Sequence, residues 1–298
     1  MKAPLARWAG RMLGATVLAA LAAPALAAPV DLFYERTVMT AADARCRLFE
    51  PDLAVALLAA QVQARGAALR SGLDEAMVGG VEQRARAAAA QVACDAPDMA
   101  MVADRVRAAF ESYAKLARMT YPGELADWRA DRGTGRAARW RLAQNAASGW
   151  DRVIFGLAGR QGADGLMALG MFADGREPYS ARLVMRDVRK TLGPYIDTRE
   201  KDPKRRPALA RRMPPDGAVV VYAAEARSPA GTDLLPKGAR SGWAFRFPAE
   251  AAAAMARLDP REAVAVEFVF GGSRDEVRRV YIEVGDFAAG RAFLRTTR

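Results

Sequence analysis

The sequence predicts an α+β protein: an N-terminal helical hairpin or bundle, stapled by a disulfide, packed beside a mainly antiparallel β-sandwich or partly open barrel. Three observations carry this. Residues 41–122 are rich in Ala and place apolar residues three or four apart, the spacing of one helix face. From residue 137 onward the apolar runs become short or alternating, and Gly, Asp and Ser separate them, as in strands joined by tight turns. The only two cysteines are Cys46 and Cys94, and midway between them stands Arg70-Ser71-Gly72. A hairpin of helices turning there brings the cysteines together at its open end.

Taken in order, residues 1–27 have the form of a secretory signal. Lys2, Arg7 and Arg11 precede the apolar run Met12 to Ala23, and Ala25-Leu26-Ala27 supplies a small-x-small cleavage site. Residues 28–40 read as a leader whose aromatics, Phe33 and Tyr34, pack on a helix. The helical domain, 41–122, opens with Thr40 as an N-cap and a short helix to Phe49. Pro51 suits the first position of a second helix reaching Arg70. Val78, Val81, Ala85 and Val92 mark a third. Met99, Val102, Val106, Phe110, Tyr113 and Ala117 mark a fourth, the cleanest stripe in the chain.

Residues 123–136 form a polar, Arg-rich connector to a β-rich domain over 137–298. Runs at 137–144, 150–158, 165–172 and 179–188 predict a four-stranded meander, with Asp174-Gly175 as a hairpin turn. A basic, Pro-rich insertion over 189–215 interrupts the strands. They resume at 218–226 and 243–247. Pro248 to Leu258 reads as a helix, 263–270 and 277–284 as a hairpin around Gly271-Gly272-Ser273, and Asp286 as the cap of a final helix, 287–294.

The composition excludes much chemistry. The chain has no histidine, so Ser-His-Asp and Cys-His mechanisms and His-ligated zinc or haem are outside its reach. The cysteines, once bonded, leave no thiol. A bridge closing their 48-residue loop stabilises by about 4 kcal/mol on the chain-entropy model. No glycine pattern matches a phosphate loop or dinucleotide fingerprint. No cofactor and no metal is expected. The formal net charge is +11; loss of Lys2, Arg7 and Arg11 with the signal lowers it by three. Ala41 to Arg118 is balanced in charge, so the surplus lies downstream.

Three features remain as candidates. The first is Glu111-Ser112 on the fourth helix, with Gly165-Leu166-Met167 later. These pieces resemble those of lytic transglycosylases, whose single catalytic Glu stands in a helical domain before a Gly-Leu-Met segment. The resemblance implies Glu111 as a general acid. The residues between the pieces depart from that family, and Lys115 at i+4 offers Glu111 an ordinary helix pair. The second is the basic insertion, where Lys204, Arg205, Arg206, Arg211 and Arg212 either form a solvated loop between strands, the favoured reading, or hold the phosphates of lipopolysaccharide, an anionic phospholipid or an acidic partner. In a chain read as exported, and with Tyr195 as its single aromatic, it is not read as a nucleic-acid site. The third is Trp128, Trp140 and Trp150 with Arg129, Arg132, Arg136, Arg139 and Arg141 interleaved. These form either a cation–π ladder or, the favoured reading, the seal between a helical layer and a sheet.

The layout from Trp243 to Leu294, with Phe247-Pro248, Met255, Leu258, Phe268 and Phe287 to Phe293, resembles the end of exported invasion-associated locus B proteins. In those a short helix precedes two strands and a small closing helix. That family keeps cysteines in this region and this chain has none. The sequence reading is therefore an exported periplasmic envelope protein, delivered by the general secretory route and cleaved near Ala27. It is expected to be a non-enzymatic binding or adaptor module with no transmembrane span in the mature chain. The alternative is a carboxylate-dependent cell-wall hydrolase or lyase using Glu111.

Overall fold

Four helices lead the chain in a computed structural model that describes residues 28–135, 137–160, 163–196 and 207–295. They are α1 (Pro29–Cys46), α2 (Pro51–Arg70), α3 (Glu75–Gln91) and α4 (Pro97–Lys115). Proline stands in the first turn of α1, α2 and α4, where its missing N–H costs no hydrogen bond and its fixed φ suits the helix. Helix α3 is capped by Asp74, whose carboxylate accepts from the Met77 N–H at 2.8 Å. The turn at Ser71-Gly72 is where the sequence places it, with Gly72 at φ +106°. Cys46 and Cys94 are bonded, their Cα atoms 5.5 Å apart.

The expected leader is part of the helical layer. Helix α1 begins at Pro29 rather than near Thr40, and Thr40 lies mid-helix with its hydroxyl donating to the Arg36 carbonyl at 2.8 Å. Phe33 is buried against Ala64, Ala68, Leu69 and Val78. The Pro29 start outcompetes the Thr40 cap because it lets α1 bury an aromatic that a cap at Thr40 would leave outside the helix.

Two antiparallel sheets follow. The larger has the order β1-β2-β3-β4-β5-β9-β8 and is not closed. Its strands are β1 (Arg118–Tyr121), β2 (Trp128–Asp131), β3 (Arg139–Ser148), β4 (Asp151–Arg160), β5 (Ala163–Met171), β8 (Ala226–Pro229) and β9 (Trp243–Arg246). The smaller has the order β11-β10-β6-β7, from β6 (Pro178–Arg186), β7 (Val219–Ala223), β10 (Ala263–Phe270) and β11 (Glu276–Glu283). Helix α5 (Ala249–Met255) follows β9, and α6 (Phe287–Phe293) follows β11. The order strand, helix, strand, strand, helix expected from Trp243 onward is what forms.

Three local expectations change. The strand expected over 218–226 is two, β7 pairing with β6 in the smaller sheet and β8 with β9 in the larger. The polar stretch 123–136 contains β2, which pairs with both β1 and β3. Asp174-Gly175 does not close a hairpin. Strand β5 pairs with β4 and β9, whereas β6 pairs with β10 and β7, so the chain changes sheets at that turn. Phe172, just before it, packs edge-on against Phe268 and Phe270 of the opposite sheet. Arg278 of β11 binds both Asp174 and Asp151. These contacts fold the turn over the edge of the sandwich, which local turn chemistry does not encode.

One core joins the sheets. Phe155, Leu157, Leu166 and Phe245 of the larger sheet share it with Leu183, Val266, Phe268 and Val280 of the smaller, and α5 and α6 add Met255, Phe287 and Phe293. Val62 of α2 and Tyr113 of α4 pack onto its margin. The helical layer is further fixed by Arg70, which makes a two-pronged ion pair with Asp286 at 2.7 and 2.9 Å. Asp286 stands before α6 as expected, but its carboxylate serves Arg70 and makes no side-chain cap bond.

Candidate functional site

Helix α4 is anchored at its two ends. Near its start, Met99 is buried with Ala42 of α1 and Ala89 of α3, close in sequence to the Cys46–Cys94 bridge. At its end, Arg132 donates to the carbonyls of Tyr113, Ala114 and Leu116, satisfying acceptors that a helix C-terminus leaves open. The same guanidinium lies 3.9 Å from the centre of the Phe293 ring, and Tyr113 meets Phe293 edge-on.

Between these anchorages the apolar stripe of α4 is only half-buried. Val102, Val106, Phe110 and Tyr113 form one wall of a crevice of about 720 Å³, and Val38, Met39, Leu57 and Ala60 of α1 and α2 form the other. The crevice exists because a stripe of large side chains faces a helix whose inner residues are largely Ala; Ala56, Ala59, Ala60 and Ala64 are all buried. Small residues opposite large ones leave room unless the backbones close in, and α4 is held off at both ends.

The crevice has a polar end. Arg36 and Gln63 line it, and both also line a second cleft of about 610 Å³ bounded by Leu32, Arg70, Gly123, Glu124 and Asp286. Arg36 donates to the Ala60 carbonyl at 2.8 Å and, among the described residues, has no carboxylate within ion-pair distance. Burial pulls its proton affinity below the ordinary value, against the opposing effect of nearby Glu35. Glu35 and Arg105 stand exposed at the rim. The phenols of Tyr113 and Tyr121 are buried without a hydrogen bond of normal geometry. Burial pushes both up, and each lies close enough to affect the other.

A second polar cluster closes the second cleft. Glu283 is fully buried, and its carboxylate accepts from the N–H groups of Glu124, Leu125 and Ala126 at 2.7, 2.8 and 3.1 Å. A side chain at Gly123 would collide with the Ala126 carbonyl, so the loop can wrap the carboxylate this tightly only with glycine there. Gln144 accepts from the Glu283 N–H and donates to its carbonyl, and the Trp128 indole donates to Glu283 and Val284. Burial raises the Glu283 carboxyl, opposed by the Leu125 and Ala126 N–H groups and by Arg212 and Arg70. This cluster is a clamp between the loop and β11. It leaves the carboxylate enclosed by donors of the protein.

Of the residues singled out in the sequence, Cys46 and Cys94 form their bond. Glu111 is exposed on α4 and lines neither crevice. Leu166, of the Gly-Leu-Met segment, is buried in the sandwich core on β5. Lys204, Arg205 and Arg206 lie outside the described residues. Arg211 is exposed at the end of a 3-10 turn, Leu209–Arg212. Arg212 is buried and faces the protein, bound to Glu124 at 3.1 Å and to the carbonyls of Pro207 and Arg261.

The tryptophans divide. Trp128 is fully buried and meets Phe155 and Phe287 edge-on, the sealing position favoured from sequence. Trp140 donates to the Leu234 carbonyl at 2.9 Å, and Trp150 is 87% exposed. The arginine that stacks on Trp243 is Arg227, 3.4 Å above the ring. Among the described residues, no three Cys, Asp or Glu side chains come together to hold a metal ion. No helix among them is long and apolar enough to cross a membrane. Comparison with protein-family models, with curated proteins and with solved structures finds no match.

The sequence reading missed Arg36 and the crevice. Its signal was present: the apolar stripe of Val102 to Tyr113 lies opposite an Ala-rich helix, and the volumes of the two faces do not sum to a filled interface.

Proposed function

We propose that this chain is a non-enzymatic binding module of the cell envelope, exported to the periplasm, which carries an apolar ligand in the crevice between α1, α2 and α4. The observation that carries the reading is the crevice itself: about 720 Å³, walled by Val38, Leu57, Val102, Val106 and Phe110, and bordered by polar groups at one end. Concave sites lined by apolar side chains with a few placed polar groups are where small ligands bind. The oxidised Cys46–Cys94 pair supports an oxidising compartment.

An environment-sensitive apolar dye tests this. The dye should brighten on the purified mature protein, and Ala60→Phe, which fills the crevice, should abolish the gain while far-UV circular dichroism stays unchanged. A dye signal indifferent to Ala60→Phe overturns the site. Release of soluble muropeptides from peptidoglycan by the protein, lost in Glu111→Gln, overturns the non-enzymatic reading.

A further inference from the structure

We propose that the ligand of the α1–α2–α4 crevice is a long-chain carboxylate, a free fatty acid, with its chain along α4 and its head on Arg36. This rests on the crevice being a ligand site and names what it takes.

Arg36 stands apart from four enclosed arginines that hold carboxylates, and unlike Arg132 and Arg141, which donate to backbone carbonyls, it lines the crevice. Arg70 has Asp286, Arg186 has Glu262, Arg212 has Glu124 and Arg261 has Asp259. Arg36 is also half-buried, yet among the described residues its only side-chain acceptor is the Ala60 carbonyl. A guanidinium carries five N–H donors in a fixed fork that matches a carboxylate, so several remain for a ligand. Partial loss of water strengthens its attraction for an anion. The other charges around the crevice are Glu35 and Arg105, both exposed, which leaves the lining with one net positive charge.

The apolar part is elongated. Val102, Val106, Phe110 and Tyr113 follow one face of α4 over three turns, about 16 Å at the helical rise. That is a slot for an extended chain rather than for a compact ring system. Arg36 and Gln63 stand where this slot meets the second cleft. Beyond them lie the carboxylates of Asp286 and Glu124, which are already paired with Arg70 and Arg212. One net positive charge, with Arg36 at the inner end and carboxylates behind it, suits a small head of single charge. A bulky phosphate diester would have to enter the second cleft and approach those carboxylates.

The experiment is displacement of the apolar dye from the disulfide-intact mature protein by dodecanoate, by uncharged dodecanol and by a lauroyl lysophosphatidylglycerol, each below its micelle concentration. The expected result is dodecanoate binding at least about tenfold tighter than dodecanol, the size of one charge-assisted pair. Arg36→Gln should bring dodecanoate down to the dodecanol level and leave dodecanol unchanged, while Arg36→Lys should restore part of the preference. Equal binding of dodecanoate and dodecanol by the unaltered protein overturns the proposal whether or not any variant folds. Tighter binding of the lysophospholipid than of dodecanoate overturns the carboxylate head. Dye binding that none of the three displaces overturns the fatty-acid assignment while leaving the crevice as a site, and absence of dye binding overturns both.

Discussion

In the sandwich, the buried positions hold Phe155, Phe245, Phe247, Phe268, Phe270, Phe287 and Trp128. In the helical layer they hold Ala42, Ala56, Ala59, Ala60, Ala64, Ala68, Ala85, Ala89 and Ala103, with Phe33, Met39, Leu57, Leu69, Val78, Val81 and Met99 as the larger side chains. Burying a large apolar side chain contributes about 1.5–3 kcal/mol, and a methyl group far less. The sandwich therefore holds itself together by its own side chains. The helical layer depends on ties: a disulfide, an ion pair to Asp286, and an arginine on the last turn of α4. The difference has a functional side, because a layer that is tied rather than filled can keep a crevice.

The largest expected effect tests whether the sandwich is self-sufficient. Phe155→Ala should cost about 3–5 kcal/mol and lower the urea midpoint of the whole chain. If the helical layer alone melted earlier, the comparison would be reversed. Next, replacing both cysteines by serine should cost about 4 kcal/mol or less, confined to the helices. Hydrogen exchange should quicken over residues 28–115 while β10 and β11 stay protected; equal quickening throughout would show one cooperative unit.

The smallest effect concerns the seam between the layers. Burial raises the carboxyls of Glu283 and Asp286 above their ordinary 4.5 and 3.8. Between the ordinary and the raised values, the unfolded chain releases protons that the folded chain keeps. Stability therefore falls as pH rises through that interval and is constant above it. Asp174, held below its ordinary value by Arg278, works in the opposite sense but only at lower pH. The urea midpoint should decline as pH rises above 4.5, and Glu283→Gln with Asp286→Asn should flatten the decline. A midpoint that climbs over this range would mean the seam is held by fully charged carboxylates.

The same contrast explains what could be read in advance. Helices α2, α3 and α4, the Ser71-Gly72 turn, the disulfide and the β10–β11 hairpin follow from local signals: Pro at a first turn, Gly after a last one, and an alternating run on each side of Gly271-Gly272. The leader became helix because Phe33 finds its pocket on α2 and α3, a contact no local pattern shows. The sheet change at Asp174-Gly175 depends on Phe172, Phe268 and Arg278, residues about one hundred positions apart. Arg36 was illegible for a similar reason. An arginine in a helix is ordinary until the fold shows the crevice it lines.

The pairing of Arg70 with Asp286 spans 216 residues. A chain made from its N-terminus has both cysteines, and can close the Cys46–Cys94 bond, long before α6 exists. The surface of α2 destined for α6 then waits until nearly the whole sandwich has emerged. Docking of the first layer is thereby a late event that reports completion of the last strands. A truncated chain lacking α6 would present α2 uncovered, a ready mark for proteases that clear unfinished copies.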